Sequence, residues 1–198
     1  MSMLRQHFDL EFNPNDEDMP HDKIRERILD KDGLACLLTD RIDAPIIGNA
    51  PKLKIIANYA VGYNNIDVAA ATSRKIPVTN TPDVLTETTA DLTFALLLSV
   101  ARRIVEADKF LRAGKFKGWE PELLLGSDVY GKTLGIVGFG RIGRAVARRA
   151  LGFNMTILYT DSEQLPVTIE RECNVQYRTL EGLLSEADYI SLHTPLDE

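Results

Sequence analysis

Residues Lys132–Asp161 read KTLGIVGFGRIGRAVARRALGFNMTILYTD. The run Thr133 to Val137 is mostly apolar and β-branched, which predicts a strand. Glycines follow at Gly138, Gly140 and Gly143. Next comes an amphipathic segment with Ile142, Val146 and Ala150 four apart on one face. A second apolar run, Met155 to Tyr159, ends at Asp161. Strand, tight turn, helix, strand and acid is the order a dinucleotide site requires. Gly138 lets the chain turn sharply, Gly140 leaves the backbone bare for a pyrophosphate, and Gly143 lets the helix pack close to the strand. The helix N-terminus offers unpaired N–H groups and partial positive charge to the phosphates. Asp161 stands where a carboxylate accepts hydrogen bonds from the adenosine ribose. It would repel a 2′-phosphate, so NAD is favoured over NADP. The competing readings are a structural glycine turn and a merely solvated strand end at Asp161.

The rest of the composition narrows the class. With 198 residues there is room for one large or two small domains with real cores. A hydrophobic share of 44% and a charged share of 26% are ordinary for a soluble globular protein. The net charge of −6 carries no basic cluster, which argues against nucleic acid and anionic membrane surfaces as partners. Cys36 and Cys173 are far apart with no metal-ligand spacing. Cys36 reads as a small core residue, and a reducing cytoplasm fits. The N-terminus has no apolar signal region. The most apolar segment, Phe94 to Ala101, is too short to span a bilayer.

Along the chain, His7 to Phe12 predicts a short strand and Asn13 to Pro20 a turn-rich connection. Asp22 to Leu29 predicts a helix capped near His21 or Asp22. Leu34 to Leu38 and Leu53 to Asn58 read as buried parallel strands, with Ala44 to Ala50 a short helix between them. Val61 to Asn65 is a loop, Ile66 to Ser73 a helix and Ile76 to Thr79 a strand. The alternation predicts a parallel sheet with helices on both faces. After Thr81-Pro82-Asp83, one long helix is expected from Leu85 to about Leu111, capped by Thr86 or Asp83, with Leu92, Leu96 and Val100 on its apolar face. Trp119 stands out in an irregular stretch. Beyond the glycine unit, Val175 to Tyr177 is a strand, Leu180 to Glu186 a helix and Tyr189 to Leu192 a buried strand.

Four motifs stand in one order: Asn58-Tyr59-Ala60-Val61-Gly62-Tyr63-Asn64-Asn65-Ile66-Asp67, Asn80-Thr81-Pro82-Asp83-Val84-Leu85-Thr86, Gly138-Phe139-Gly140-Arg141-Ile142-Gly143 and Ser191-Leu192-His193-Thr194-Pro195-Leu196. In that order they resemble the D-isomer-specific 2-hydroxyacid dehydrogenases, and most of all the glyoxylate/hydroxypyruvate reductase branch. The resemblance implies an α/β protein. Residues 1–83 would form an incomplete flavodoxin-like substrate domain. Residues 84–198 would form the first half of a Rossmann-type doubly wound NAD-binding domain, entered by a long connecting helix. It implies that the Val61 and Gly62 N–H groups hold a substrate carboxylate, as suits a glycine loop after a parallel strand; read alone, the segment is rather a plain turn between strand and helix. It places Leu38 and Tyr59 around a small substrate pocket, although each alone would read as core. Thr89 would approach the nicotinamide, and His193, Thr194 and Pro195 would form a strand-end loop touching the cofactor. The loop residues Phe139, Arg141 and Ile142 join the three glycines and Asp161 as cofactor-binding candidates. Trp119 would reach across a homodimer interface towards the partner's pocket; the alternative is a Trp packed on its own domain.

The chemistry the resemblance implies is hydride transfer to C2 of a small 2-oxoacid, assisted by a histidine, a glutamate and an arginine. In the family all three lie beyond the His-Thr-Pro-Leu motif. Of the histidines here, His7, His21 and His193, none stands in the catalytic motif. No catalytic residue and no metal ligand is therefore expected within the chain, which looks like a piece of a longer protein, short at both ends and inactive alone. The alternatives are a non-enzymatic NAD(H)-binding or dimerisation protein of the same fold, and a fragment acting only by pairing with a full-length relative.

Overall fold

A computed structural model describes residues 2–14 and 17–195. Residues 15 and 16 of the turn-rich stretch, together with Met1 and Leu196, lie outside the described residues. The chain divides into two units, Met1–Pro82 and Asp83–Glu198.

In the first unit, α1 (Ser2–Arg5) and α2 (His21–Arg27) precede β1 (Gly33–Cys36), α3 (Ala44–Gly48), β2 (Ile55–Asn58), α4 (Val68–Ser73) and β3 (Val78–Thr79). The three strands are parallel in the order β1-β2-β3, with Ile56 opposite Leu34 and Val78. Asp43 caps α3 by accepting from the Ile46 N–H, and Asp67 caps α4 by accepting from the Ala70 N–H. Ile42, Ile46, Ile47 and Ile56 are fully buried and form the centre of the core.

Three expectations change here. His7 to Phe12 is not a strand: the Phe8 N–H closes a helical turn on Leu4, and the segment is fastened through Glu11 to Arg27 (2.5 Å) and Lys31 (2.7 Å) rather than to a sheet. The cap of α2 is Pro20, while the His21 ring turns to Asp43 (3.0 Å). The first strand is buried only at Cys36, not along its length, and it stops there because the Asp40 carboxylate takes the Leu37 N–H (2.7 Å) and turns the chain out of the ladder. Leu37 and Leu38 are exposed in consequence.

The second unit runs α5 (Thr86–Ala101), α6 (Ile104–Arg112), β4 (Thr133–Val137), α7 (Arg141–Ala150), β5 (Thr156–Thr160), α8 (Val167–Cys173), β6 (Gln176–Tyr177), α9 (Leu180–Glu186) and β7 (Tyr189–Leu192). Its four strands are parallel in the order β6-β5-β4-β7, with Ile136 opposite Tyr159 and Ser191. Neighbouring residues of a strand face opposite sides. A Cβ on Gly135 would meet Leu183 of α9 at 2.5 Å, while Ile136 lies against Gly143 of α7. Helices therefore cover both faces of the central strand.

The expected single long helix is two. Arg103 adopts the left-handed conformation (φ 53°) and ends the first run. The place of the next turn is taken by residues 125–127: the Ser127 N–H donates to the Ala101 carbonyl (2.8 Å), and a Cβ on Gly126 would lie 2.9 Å from Arg102 Cα. No side chain caps α5. Its core face is Ala90, Phe94 and Ala101, with Phe94 stacked on Phe153, whereas Leu92, Leu96 and Val100 are exposed. β7 is not buried either. It is an edge strand with β4 on one side, and Leu192 is 72% exposed. Among the described residues no helix is long and apolar enough to cross a membrane, and no cluster of metal-ligating side chains occurs.

Candidate functional site

The carboxyl end of β4 carries the glycine loop. Gly138 has φ 90°, and a Cβ there would lie 2.7 Å from the His193 carbonyl carbon and oxygen and 2.8 Å from Thr194 Cγ2. Only glycine fits, because the loop after β7 is packed against it. Gly143 is required for another reason: a Cβ would run into the Gly138 carbonyl oxygen. Gly140 differs from both. Its backbone is ordinary (φ −71°, ψ −157°), and a Cβ would meet nothing within 4 Å. It is the N-cap of α7, no side chain caps that helix, and the Ile142 and Gly143 N–H groups find no acceptor among the described residues. Bare backbone, open space and an uncapped ten-residue helix together suit a pyrophosphate.

Phe139 contributes its backbone only. Its ring is buried against Tyr159, with centroids 4.6 Å apart. Its N–H donates to Asp161 Oδ2 (2.7 Å), so the acid at the end of β5 also holds the loop. Asp161 Oδ1 accepts from the Ser162 N–H (2.7 Å) and hydroxyl (3.2 Å). A carboxylate has about four lone-pair sites, so roughly one is left for a sugar hydroxyl until Ser162 turns aside. Burial pushes the Asp161 carboxyl upward, but the Phe139 and Ser162 hydrogen bonds and the Arg144 charge outweigh it, and the net shift is downward. Asp161 is anionic at neutral pH. Ser162 and Arg144 carry only weak signals in the sequence, a hydroxyl next to the acid and a basic residue one turn into the helix. Arg141 is exposed and ion-paired with Asp83 (2.8 Å), and Ile142 packs half-buried on the core.

His193 starts the loop after β7. Its N–H continues the ladder to Val137 O (2.7 Å), its Nε2 lies 2.8 Å from Ser191 Oγ, and burial pushes its pKa down. Thr194 and Pro195 are exposed beside it. Thr89 is half-buried in α5. Trp119 is 83% exposed and borders an apolar depression of about 400 Å³ shared with Phe110, Leu111, Phe116, Leu124 and Leu125.

In the first unit, β1 and β2 are parallel, so the residues that follow them lie at one edge of the sheet, the carboxyl edge where open α/β sheets take ligands. Leu38 and Tyr59 stand there 53% and 77% exposed, not in the core. Leu38 Cδ1 is 4.0 Å from the Cβ position of Gly62, so Leu38 and the Val61–Gly62 loop share a surface.

The dinucleotide geometry has counterparts in known proteins. The family model for the NAD binding domain of D-isomer specific 2-hydroxyacid dehydrogenases matches residues 94–198. A glyoxylate reductase of Korarchaeum cryptofilum is 58% identical over 200 residues, covering all of this chain and 60% of its own length. The TT0316 protein of Thermus thermophilus superposes with a TM-score of 0.89 at 47% identity, over 99% of this chain and 61% of that one. D-Lactate dehydrogenase of Aquifex aeolicus, solved with NAD and lactic acid, gives a TM-score of 0.77 at 28% identity, over 90% of this chain and 51% of its own. The chain thus spans about 60% of the length of the curated relatives it matches.

Proposed function

The chain belongs to the D-isomer specific 2-hydroxyacid dehydrogenases, and from that premise we propose that it serves the NAD(H)-linked interconversion of a small 2-oxoacid and its 2-hydroxyacid, with glyoxylate or hydroxypyruvate as substrate. The observation that carries the cofactor half of this reading is Gly140: the fold leaves its Cβ position empty, in front of an uncapped helix and one strand away from an anionic Asp161. The Gly140–Gly143 amides would take the pyrophosphate. Asp161 would take the adenosine ribose and, by charge, turn away a 2′-phosphate, which favours NAD over NADP. When bound, the reduced nicotinamide supplies a hydride. Thr89, Thr194 and Pro195 would steady its ring, and His193 would hold the loop by its backbone. The second unit is accordingly the dinucleotide domain and the first the substrate domain, in which the Val61 and Gly62 N–H groups bind the carboxylate while Leu38 and Tyr59 border the substrate.

The exposed apolar face of α5 and the depression at Trp119 support a homodimer formed through the second unit. The free thiols of Cys36 and Cys173 are in keeping with a cytoplasmic setting.

One observation favours the second reading, binding without turnover. Among the described residues, His21 and His193 are each engaged by a neighbour: the His21 ring by Asp43, which already caps α3, and the His193 ring by Ser191, with burial favouring its neutral form. Calorimetric titration with NADH, followed by loss of reduced-nicotinamide absorbance on adding glyoxylate, tests both. Heat without turnover by these 198 residues is expected. Turnover would place the proton donor inside this chain, and absence of heat would end the cofactor assignment.

A further inference from the structure

The loop after β2 is fastened from behind at three successive peptides. The Ala60 carbonyl accepts from the Thr81 N–H (2.9 Å), the Val61 carbonyl from the Asn80 side-chain amide (2.8 Å) and the Gly62 carbonyl from the Asn58 side-chain amide (2.8 Å). A trans peptide sets its N–H opposite its C=O, and the chain has no cis peptide among its described residues. Fixing those three oxygens therefore aims three N–H groups, those of Val61, Gly62 and Tyr63, the other way. None of the three finds an acceptor among the described residues. Two of the carbonyls are held by one dipeptide, Asn80–Thr81, so the Val61 and Gly62 N–H groups both face away from it.

The fastening is itself anchored. Asn58 is 2% exposed; its amide nitrogen also lies 3.2 Å from Asn65 Oδ1, and its oxygen accepts from Cys36 Sγ (3.4 Å). Asn65 donates in turn to the Leu37 and Asp40 carbonyls, both at 3.0 Å, which ties the loop to the end of β1. Water would satisfy three solvent-facing N–H groups in many orientations. The carbonyl ties remove that freedom, and donors fixed in advance need no reorientation when an anion arrives.

We propose that Asn80 and Asn58 are positioning residues for the substrate carboxylate: Asn80 sets the plane of the Val61–Gly62 peptide and Asn58 that of Gly62–Tyr63, so that their N–H groups are aimed before substrate binds. The proposal rests on the reading of Val61 and Gly62 as the carboxylate holder.

The probe is oxamate, an unreactive 2-oxoacid analogue, titrated into the ¹⁵N-labelled 198-residue chain while the Val61, Gly62 and Tyr63 amide resonances are followed. In the native chain these resonances shift. Asn80→Ala removes the donor; Asn80→Asp keeps its shape but sets an anionic oxygen against the Val61 carbonyl. Each weakens oxamate by about tenfold or more, with the melting temperature and the amide resonances of β1 to β3 unchanged. Asn80→Ser replaces either variant should it melt early. Native binding at these amides with undiminished affinity in the Asn80 variants overturns the positioning role and leaves the carboxylate site standing. No shift at the three amides of the native chain overturns the carboxylate reading and the positioning role with it.

Discussion

Alanine at Gly138 and alanine at Gly140, two residues apart in one loop, are expected to fail in opposite ways. Gly138 sits at φ 90°, and a Cβ there would lie 2.7 Å from the backbone of His193 and 2.8 Å from Thr194 Cγ2. The conformation costs an alanine about 1–2 kcal/mol. Pressing a methyl into backbone that cannot swing aside adds roughly 1–3 kcal/mol. The total, about 2–5 kcal/mol, is a large part of the ~5–15 kcal/mol that holds a domain together, and it corresponds to a fall in Tm of roughly 10–20 °C. Gly140→Ala meets neither cost, since the backbone is ordinary and nothing lies within 4 Å of the new methyl. Its Tm should stay close to native, because the ~0.4–1 kcal/mol gained from lost glycine freedom in the unfolded chain is offset by a similar preference for glycine over alanine at the N-cap of α7. In the proposed cofactor site the same methyl would stand where a pyrophosphate approaches the backbone, so NADH affinity should fall about tenfold or more. Thermal melts by circular dichroism and calorimetric NADH titrations of both variants read the two effects separately. A Gly138→Ala chain that melts within a degree or two of native refutes the packing argument. A Gly140→Ala chain that binds NADH as tightly as native refutes the phosphate approach.

Asp161→Asn should narrow the affinity gap between NADH and NADPH by about tenfold, measured by paired calorimetric titrations; an unchanged ratio removes the ribose role. The pKa of His193 is lowered below 6.5 by burial, so below that pH the unfolded chain binds the proton that the folded chain resists. Stability should therefore fall as pH drops from about 7 through 6.5 and level off once the folded pKa is passed. Urea midpoints across that range check the sign, and His193→Asn should flatten the slope. Ile190→Lys, on the open edge of β7, should raise the concentration at which the chain remains soluble with little change in Tm; light scattering decides, and unchanged aggregation would put the sticky surface elsewhere.

The glycine loop was legible because each of its requirements is local. The turn at Gly138, the close approach at Gly143, the acid at the end of the next strand and the apolar β4 run all fall within thirty residues, and β4, α9 and β7 lie where the pattern puts them. What could not be read depends on distant partners. Residues 125–127 end α5 by occupying its next turn, and nothing between Leu85 and Leu111 announces that. Leu37 and Leu38 leave the strand because Asp40 captures a backbone N–H, a bond that an apolar run does not reveal. Asn58 and Asn80 show no role in the sequence alone, because the carbonyls they hold are known only once the loop is folded.

Helix α5 shows where periodicity loses its power. Leu92, Leu96 and Val100 recur every four residues, which is the pattern of a buried stripe. Ala90, Phe94 and Ala101 also fall on one face, and it is this second stripe that packs in the core. The helix is apolar on both sides, so the pattern counts faces without saying which one the chain covers itself. The partner settles it: Phe94 stacks on Phe153, and Ala90 and Ala101 are buried with it in the same core, so the face they share is the covered one. Leu92, Leu96 and Val100 are left outward, on the face through which the proposed homodimer would form. Leu96→Lys should therefore leave the fold intact, because Leu96 takes no part in the core, and should turn a dimer into a monomer in sedimentation; a variant that still sediments as a dimer would move the interface off this face.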